Sequence, residues 1–459
     1  MTITLAGTAE RPRLVPPRPE PASETLSGFR LVAAFRANGL RAWPRQAYES
    51  DALERRFFGR MSLVLNAPDG IRRVLMDNHE NYGRTPATIR ILRPLLGRGL
   101  FLSTGPAWRH QRRTLSPAFT PRAVEALVPH ILSATREAIA ELEVRRDRPV
   151  DLLTAVQHLA LEIAGRTMFS LEMHGRGPVL RDLITRYGLD LARPRLPDFL
   201  LPIRIPSPHD VARMRFRRVW TAFFDELMAE RRRSGAPNGP ARDLFDLLLA
   251  ARDPETGAAF SPEELRDQVA TMIVAGHETT AVALFWSLYL LALAPDVQDG
   301  VAHEAARLRI DDASALQNLT VTRAVLDEAM RLYPPAFAVA RMARGPDTVS
   351  GVRVRRGDLI VIAPWVLHRH RRLWPEPDAF VPERFLPGAR PVDRFAYLPF
   401  GAGPRVCIGA QFALNEATLV LASLVRAFRI SPASDRPVQP VAIVTTQPDH
   451  APPFRLEPR

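Results

Sequence analysis

The chain has one cysteine, Cys407, in the run Phe400-Gly401-Ala402-Gly403-Pro404-Arg405-Val406-Cys407-Ile408-Gly409. Two glycines and a proline before it predict a tight loop, and the apolar spacing after it predicts a helix to about Phe428. The sulfur is therefore expected at a helix N-terminus, where unpaired N–H groups and the positive dipole end favour thiolate over thiol. Gly409, without a side chain, leaves room for a flat cofactor to come close. A thiolate held by amide donors is a good axial ligand for haem iron, because it pushes electron density onto the metal and favours O–O cleavage. An arbitrary lone cysteine is more often a small buried hydrophobe.

What singles this one out is its company. Phe400, Gly401, Gly403, Arg405, Cys407 and Gly409 match every fixed position of the haem-binding signature of the cytochrome P450 monooxygenases, a family that the chain resembles. A chance match at six specified positions is on the order of 10⁻⁵ for a chain of this length. The resemblance covers about residues 60–450. In Ala275-Gly276-His277-Glu278-Thr279-Thr280 it implies the family's oxygen-activation motif. Gly276 weakens a helix by about 1 kcal/mol relative to alanine, and a local opening there would leave room for dioxygen and water. Thr279 would then hydrogen-bond the oxygen, while Glu278 would relay protons from solvent.

The resemblance further assigns Trp108 and Arg112, four residues apart and on one helix face, to a haem propionate, with Arg341 and Arg405 as the other partners. Arginine's planar fork suits a carboxylate. Glu328 and Arg331 resemble the family's E-x-x-R element, and Arg384 in Pro382-Glu383-Arg384-Phe385 would complete a structural Glu–Arg–Arg cluster. Arg109 and Arg113 read as surface charge.

These residues need a scaffold, and the sequence predicts a mainly α protein with a small β region, a single large P450-like domain. Residues 122–142, 152–169 and 211–233 carry apolar positions at helical spacing. Ser261-Pro262-Glu263-Glu264 is a capping box that opens a helix of some 33 residues, unbroken until Pro295. Its stretch 269–294 is the most apolar in the chain, but His277 and Glu278 interrupt it, so it reads as a buried helix and not a membrane span. Residues 62–66 read as a strand, and 349–355 with 359–363 as a hairpin turning at Arg356-Gly357. Residues 232–242 read as a surface loop. Residues 193–208 carry five prolines among greasy side chains, which predicts either a lid over an apolar pocket, a patch touching a membrane surface, or a loop packed on its own core. Residues 1–22 are expected to be a flexible Pro-rich segment, and 23–459 the haem-thiolate monooxygenase domain.

Composition closes off other chemistries. The 62 basic residues are all arginine, which excludes Schiff-base, PLP-lysine and Walker-type mechanisms. One cysteine excludes a disulfide framework and a cysteine-built zinc or iron–sulfur site within the chain. A net charge of +13 without a reader motif argues against nucleic acid. No apolar core of signal-peptide length opens the chain, so it is expected to be cytoplasmic, with at most peripheral membrane contact and neither a membrane anchor nor a fused flavin reductase.

The resemblance implies a soluble, bacterial-type haem b monooxygenase, expected as a monomer, that activates dioxygen and hydroxylates an apolar fatty acid, terpenoid or steroid-like substrate. Electrons would come from a ferredoxin and ferredoxin reductase, the ferredoxin docking near Arg112, Arg113 and Arg405. Pocket walls are expected from residues 85–102, Met272, Ala275, 336–340 and 444–446, where Arg90 or Arg93 could hold a carboxylate, although solvated arginines are the expected reading. Two other classes stay open: a thiolate-haem peroxygenase or dehydratase, and a non-enzymatic haem or anionic-surface binding protein.

Overall fold

The computed structural model of the chain describes residues 13–26, 28–170, 175–233, 235 and 241–459. Helices that matter for the site are α1 (Gly28–Asn38), α2 (Pro86–Leu96), α3 (Gly105–Leu115), α4 (Val128–Arg145), α5 (Leu152–Phe169), α6 (Pro208–Arg233), α7 (Pro262–Leu293), α8 (Thr320–Leu332) and α9 (Ala410–Ala427). The strands are β1 (Ala52–Phe57), β2 (Arg60–Leu65), β3 (Tyr82–Gly83), β4 (Val339–Ala343), β5 (Leu359–Ile362), β6 (Pro440–Ala442) and β7 (Thr446–Pro448).

Helix α7 is the axle. Ser261 Oγ accepts from Glu264 N at 3.2 Å and Glu264 returns the bond to Ser261 N at 3.0 Å, so the capping box forms as expected. Its 32 residues run for about 48 Å. Every residue from Thr280 to Ala292 is buried, packed among α5, α8, α9 and neighbouring segments. Trp286 stacks on Tyr333 at 3.9 Å and donates to Thr446 O, tying α7 to the end of α8 and to β7. α7 is also the one helix among the described residues long and apolar enough to cross a membrane, but 67% of its most apolar window is buried by the protein itself.

The main sheet has the order β1-β2-β5-β4-β3, with β2 and β5 parallel and the other neighbours antiparallel. This corrects the expected hairpin. Residues 352–354 turn back at Ser350-Gly351, both at positive φ, to pair with 347–349. Leu359–Ile362 instead joins the main sheet. The expected helix over 122–142 is likewise two pieces, Pro121–Glu125 and then α4, whose first turn carries Pro129.

Of the lead-in, residues 1–12 lie outside the described residues, while 13–22 are tied to the body: Phe380 N donates to Leu14 O and Tyr333 Oη to Pro17 O, both at 2.8 Å. Part of the loop expected at 232–242 also lies outside the described residues (234 and 236–240). Residues 193–208 contain a short helix (Leu196–Leu200) and are clamped by arginine. Arg90 is not solvated. It is 6% exposed and donates to Asp210 and to the carbonyls of Leu201, Pro202 and Ile205. Arg213 grips Asp198 and Asp210 from α6. The segment covers one end of a large internal cavity, while Leu200, Ile203 and Ile205 stay exposed.

Candidate active site

Four elements that carry the expected site residues converge on that cavity: the Cys407 loop, α7, α3 and strand β4 of the main sheet. The loop is built by backbone. Gly401 and Gly403 take φ of 74° and 72°, and a Cβ on Gly403 would lie 1.9 Å from Leu75 O, so no other residue fits there. Cys407 N donates to Phe400 O at 2.9 Å, closing the loop, and Gly409 caps α9. The thiol is open to the cavity, and protein walls in the cavity around it. Burial enters the electrostatics of this sulfur alongside the helix terminus. Burial pushes the thiol up, and the Gly409 N–H and the Arg112 guanidinium pull it down without reversing the shift. Desolvation thus works against the helix terminus, and a bound cation would favour the thiolate.

The cavity holds about 1170 Å³, above the roughly 300–1000 Å³ of most single-ligand pockets. It is mostly apolar, and residues from every expected wall line it, among them Ile91, Met272, Ala275, Phe337 and Val444. Thr446 does not. It bonds to Pro334 O instead.

One side of the cavity concentrates positive charge. Arg405 donates to Ser103 O at 3.0 Å, lies 4.5 Å over the Trp108 ring, and has Nη1 buried without a partner. Arg341 is 9% exposed and reaches only the carbonyl of Ala340. Arg344, three residues on, turns away to Glu80 O. Arg112 donates to Val406 O at 3.0 Å. Sequence reasoning missed a further member, Arg84, whose guanidinium sits 3.9 Å over Phe101 with Nε buried and unpartnered. Burial pushes Arg341 and Arg405 down to about 10, and Arg84 well below its ordinary value, with mutual repulsion adding to the shift of Arg84 and of Arg405. No carboxylate among the described residues answers these three cations.

A thiol, three unanswered guanidinium groups and an apolar chamber fit one kind of guest, a flat macrocycle carrying two carboxylates and a metal that binds sulfur. The orphaned nitrogens of Arg84 and Arg405 mark where carboxylate oxygens would be received.

On α7 the helix runs unbroken through Gly276, so the expected opening is not a break in the backbone. Thr279 Oγ1 donates to Ala275 O at 2.5 Å, and both residues line the cavity. Glu278 Oε1 accepts from Thr445 Oγ1 at 2.7 Å and Gln447 Nε2 at 3.0 Å, across the β6–β7 connection. Its Oε2 has no partner among the described residues. His277 points the other way, onto Gln157 O. Behind the site Glu328 and Arg331, both fully buried, share two bonds of 2.7 and 2.8 Å; Arg331 also donates to three backbone carbonyls. Arg384 lies 3.6 Å from Glu328. Of the arginines expected to form a docking face, Arg113 is spent on Asp253 and Glu255, and Arg112 and Arg405 turn inward.

The model of the cytochrome P450 family matches residues 49–451. The chain belongs to that family. This P450 is 34% identical over 349 residues to cyclooctat-9-en-7-ol 5-monooxygenase of Streptomyces melanosporofaciens, covering 74% of each chain. It is 31% identical over 375 residues to cytochrome P450 4V2 of Homo sapiens, covering 74% of this chain and 70% of the human one. Among solved structures, the cytochrome P450DA heme domain superposes with a TM-score of 0.78 at 27% identity, covering 89% of this chain and 90% of that one. The chain is thus an oxidoreductase of the P450 monooxygenase family, whose members use a haem-thiolate centre, dioxygen and electrons delivered by a redox partner.

Proposed function

We propose that this P450 binds haem b through Cys407 and hydroxylates an apolar molecule of terpenoid size, in the cytoplasm and as a monomer, with electrons taken singly from a ferredoxin and its reductase. The overall change is RH + O₂ + 2 e⁻ + 2 H⁺ giving ROH + H₂O. The observation that carries the reading is the Cys407 thiol opening into an apolar cavity beside three unanswered arginines, with Thr279 and Glu278 on the same cavity. The terpenoid class comes from the named substrate of the Streptomyces relative.

When bound, the haem would supply the iron that takes up and splits dioxygen, with the thiolate pushing electron density toward it. The rest is the work of the chain. Gly409 N–H and Arg112 hold the thiolate charge. Arg84, Arg341 and Arg405, with Trp108, receive the propionates and gain the partners they lack. Phe400 and Gly409 shape the loop so that the flat ring comes close to the sulfur. The Thr279 hydroxyl, which donates to Ala275 O, would hold a proton on the cavity face where dioxygen is taken up. Glu278 supplies protons through its unpartnered Oε2, while Thr445 and Gln447 fix Oε1. This acid–hydroxyl pair favours a monooxygenase over a peroxide-driven enzyme, which has no need of it.

The test is the absorption spectrum of the dithionite-reduced protein with carbon monoxide, repeated on Cys407→Ala. A strongly red-shifted Soret band lost in the variant is expected. Failure to bind haem, or a histidine-type band, overturns the reading.

A further inference from the structure

The cavity holds a second charge, remote from the thiol, that nothing answers. Arg55 of β1 is 6% exposed and lines the chamber. Its Nη1 reaches Ala42 O only at 3.5 Å, the limit of a hydrogen bond, and its Nε is buried without a partner. The guanidinium lies 5.2 Å from the Trp43 ring centroid. Burial alone pushes it down to about 10, and no charged group of either sign contributes.

Arg55 does not belong to the group near Cys407. It stands opposite Ser62 in register, Ser62 opposite Leu359, and Leu359 opposite Met342. Three strand spacings, about 14 Å, therefore separate it from the strand of Arg341. Arg84, Arg341 and Arg405 are close enough to repel one another, and none of them perturbs Arg55. Its surroundings are greasy. Leu31 and Phe35 of α1 line the same chamber, and Phe57, two residues along β1, meets Phe199 of the covering segment edge-on at 5.2 Å.

An isolated buried cation destabilises a fold, and a protein keeps one where something else supplies the counter-charge. A carboxylate would fit the planar fork with two parallel bonds. We propose that Arg55 is a substrate-binding residue that holds the carboxylate of an amphipathic organic acid, whose hydrocarbon body extends toward Cys407. The inference rests on the reading of the cavity as the substrate chamber, and it sharpens the class: an acid in preference to a hydrocarbon, alcohol or ester of the same shape. Arg55 then also fixes which end of the molecule faces the reacting centre.

The test uses the haem-loaded protein and two pairs of probes, palmitic acid with methyl palmitate and abietic acid with methyl abietate. Binding is read by equilibrium dialysis as well as by the spin-state shift, so that acid bound away from the iron is counted. For at least one pair the acid should bind tenfold or more tighter than its ester. Arg55→Met should abolish that preference while changing ester affinity less than twofold, and Arg55→Lys should retain part of it. The ligand-free Arg55→Met protein should melt higher than the parent, since it sheds an unanswered charge. An acid no tighter than its ester in both pairs, equal losses for acid and ester, or a lower melting temperature in Arg55→Met would overturn the proposal. A reduced carbon monoxide spectrum of histidine type would instead sink the haem-thiolate reading, and that spectrum is recorded without any acid.

Discussion

Glu416 offers a quantitative test of how dry the interior beside the Cys407 helix is. It sits on α9, two and a half turns beyond Cys407, 3% exposed, with neither hydrogen bond nor ion pair among the described residues. Burial alone pushes its carboxyl from 4.5 up to about 8. The folded chain therefore keeps a proton that the unfolded chain releases above pH 4.5. Stability must fall as pH rises from 4.5 to about 8 and level off beyond. At 1.36 kcal/mol per pH unit, the loss between pH 5.5 and 8 is about 3 kcal/mol. Glu416→Gln keeps the shape and cannot titrate, and other groups cancel in the comparison. Urea unfolding of the haem-loaded proteins at five pH values should give curves that diverge by about that amount, the variant being the more stable at pH 8. Parallel curves, or a variant weaker at pH 8, would refute the argument.

Two further substitutions probe the site and its support. Thr279→Ala should leave electron consumption in place while product per electron falls at least about tenfold and peroxide is released, with Thr279→Ser restoring much of the yield; unchanged yield in the alanine variant would remove Thr279 from proton delivery. Arg331→Met strands the Glu328 carboxylate in the core, so it should cost about 3–5 kcal/mol in urea unfolding, whereas a cost below about 1 kcal/mol would mean that the pair behaves as though on the surface.

Local signals were legible in the sequence where they were decisive locally. The capping box started α7 at the expected residue, and the apolar spacing of 152–169 matched α5 at both ends. The Cys407 loop was readable because six constrained positions lie within ten residues. Long-range pairing was not. Gly357 and Gly351 both offer turns, and only strand partners far along the chain decide that Ser350-Gly351 makes the hairpin. The arginines misled in a similar way. In a chain with 62 of them, composition does not separate surface arginines from buried ones: Arg90, expected to be solvated, is buried against Asp210, and Arg55 is buried on β1. Thr445 and Gln447 lie more than 160 residues from the carboxylate they hold, so no spacing rule reaches them.

The connection between β6 and β7 joins two roles that a designer would have kept separate. Ile443 and Val444 form part of the chamber wall, while Thr445 and Gln447 set the angle of Glu278. Reshaping this short stretch to admit a different molecule would therefore also retune the acid. Along a lineage of such enzymes, the range of compounds accepted and the fraction of reducing power wasted should drift together, and changes at 443–447 would need a second adjustment on α7 to part them.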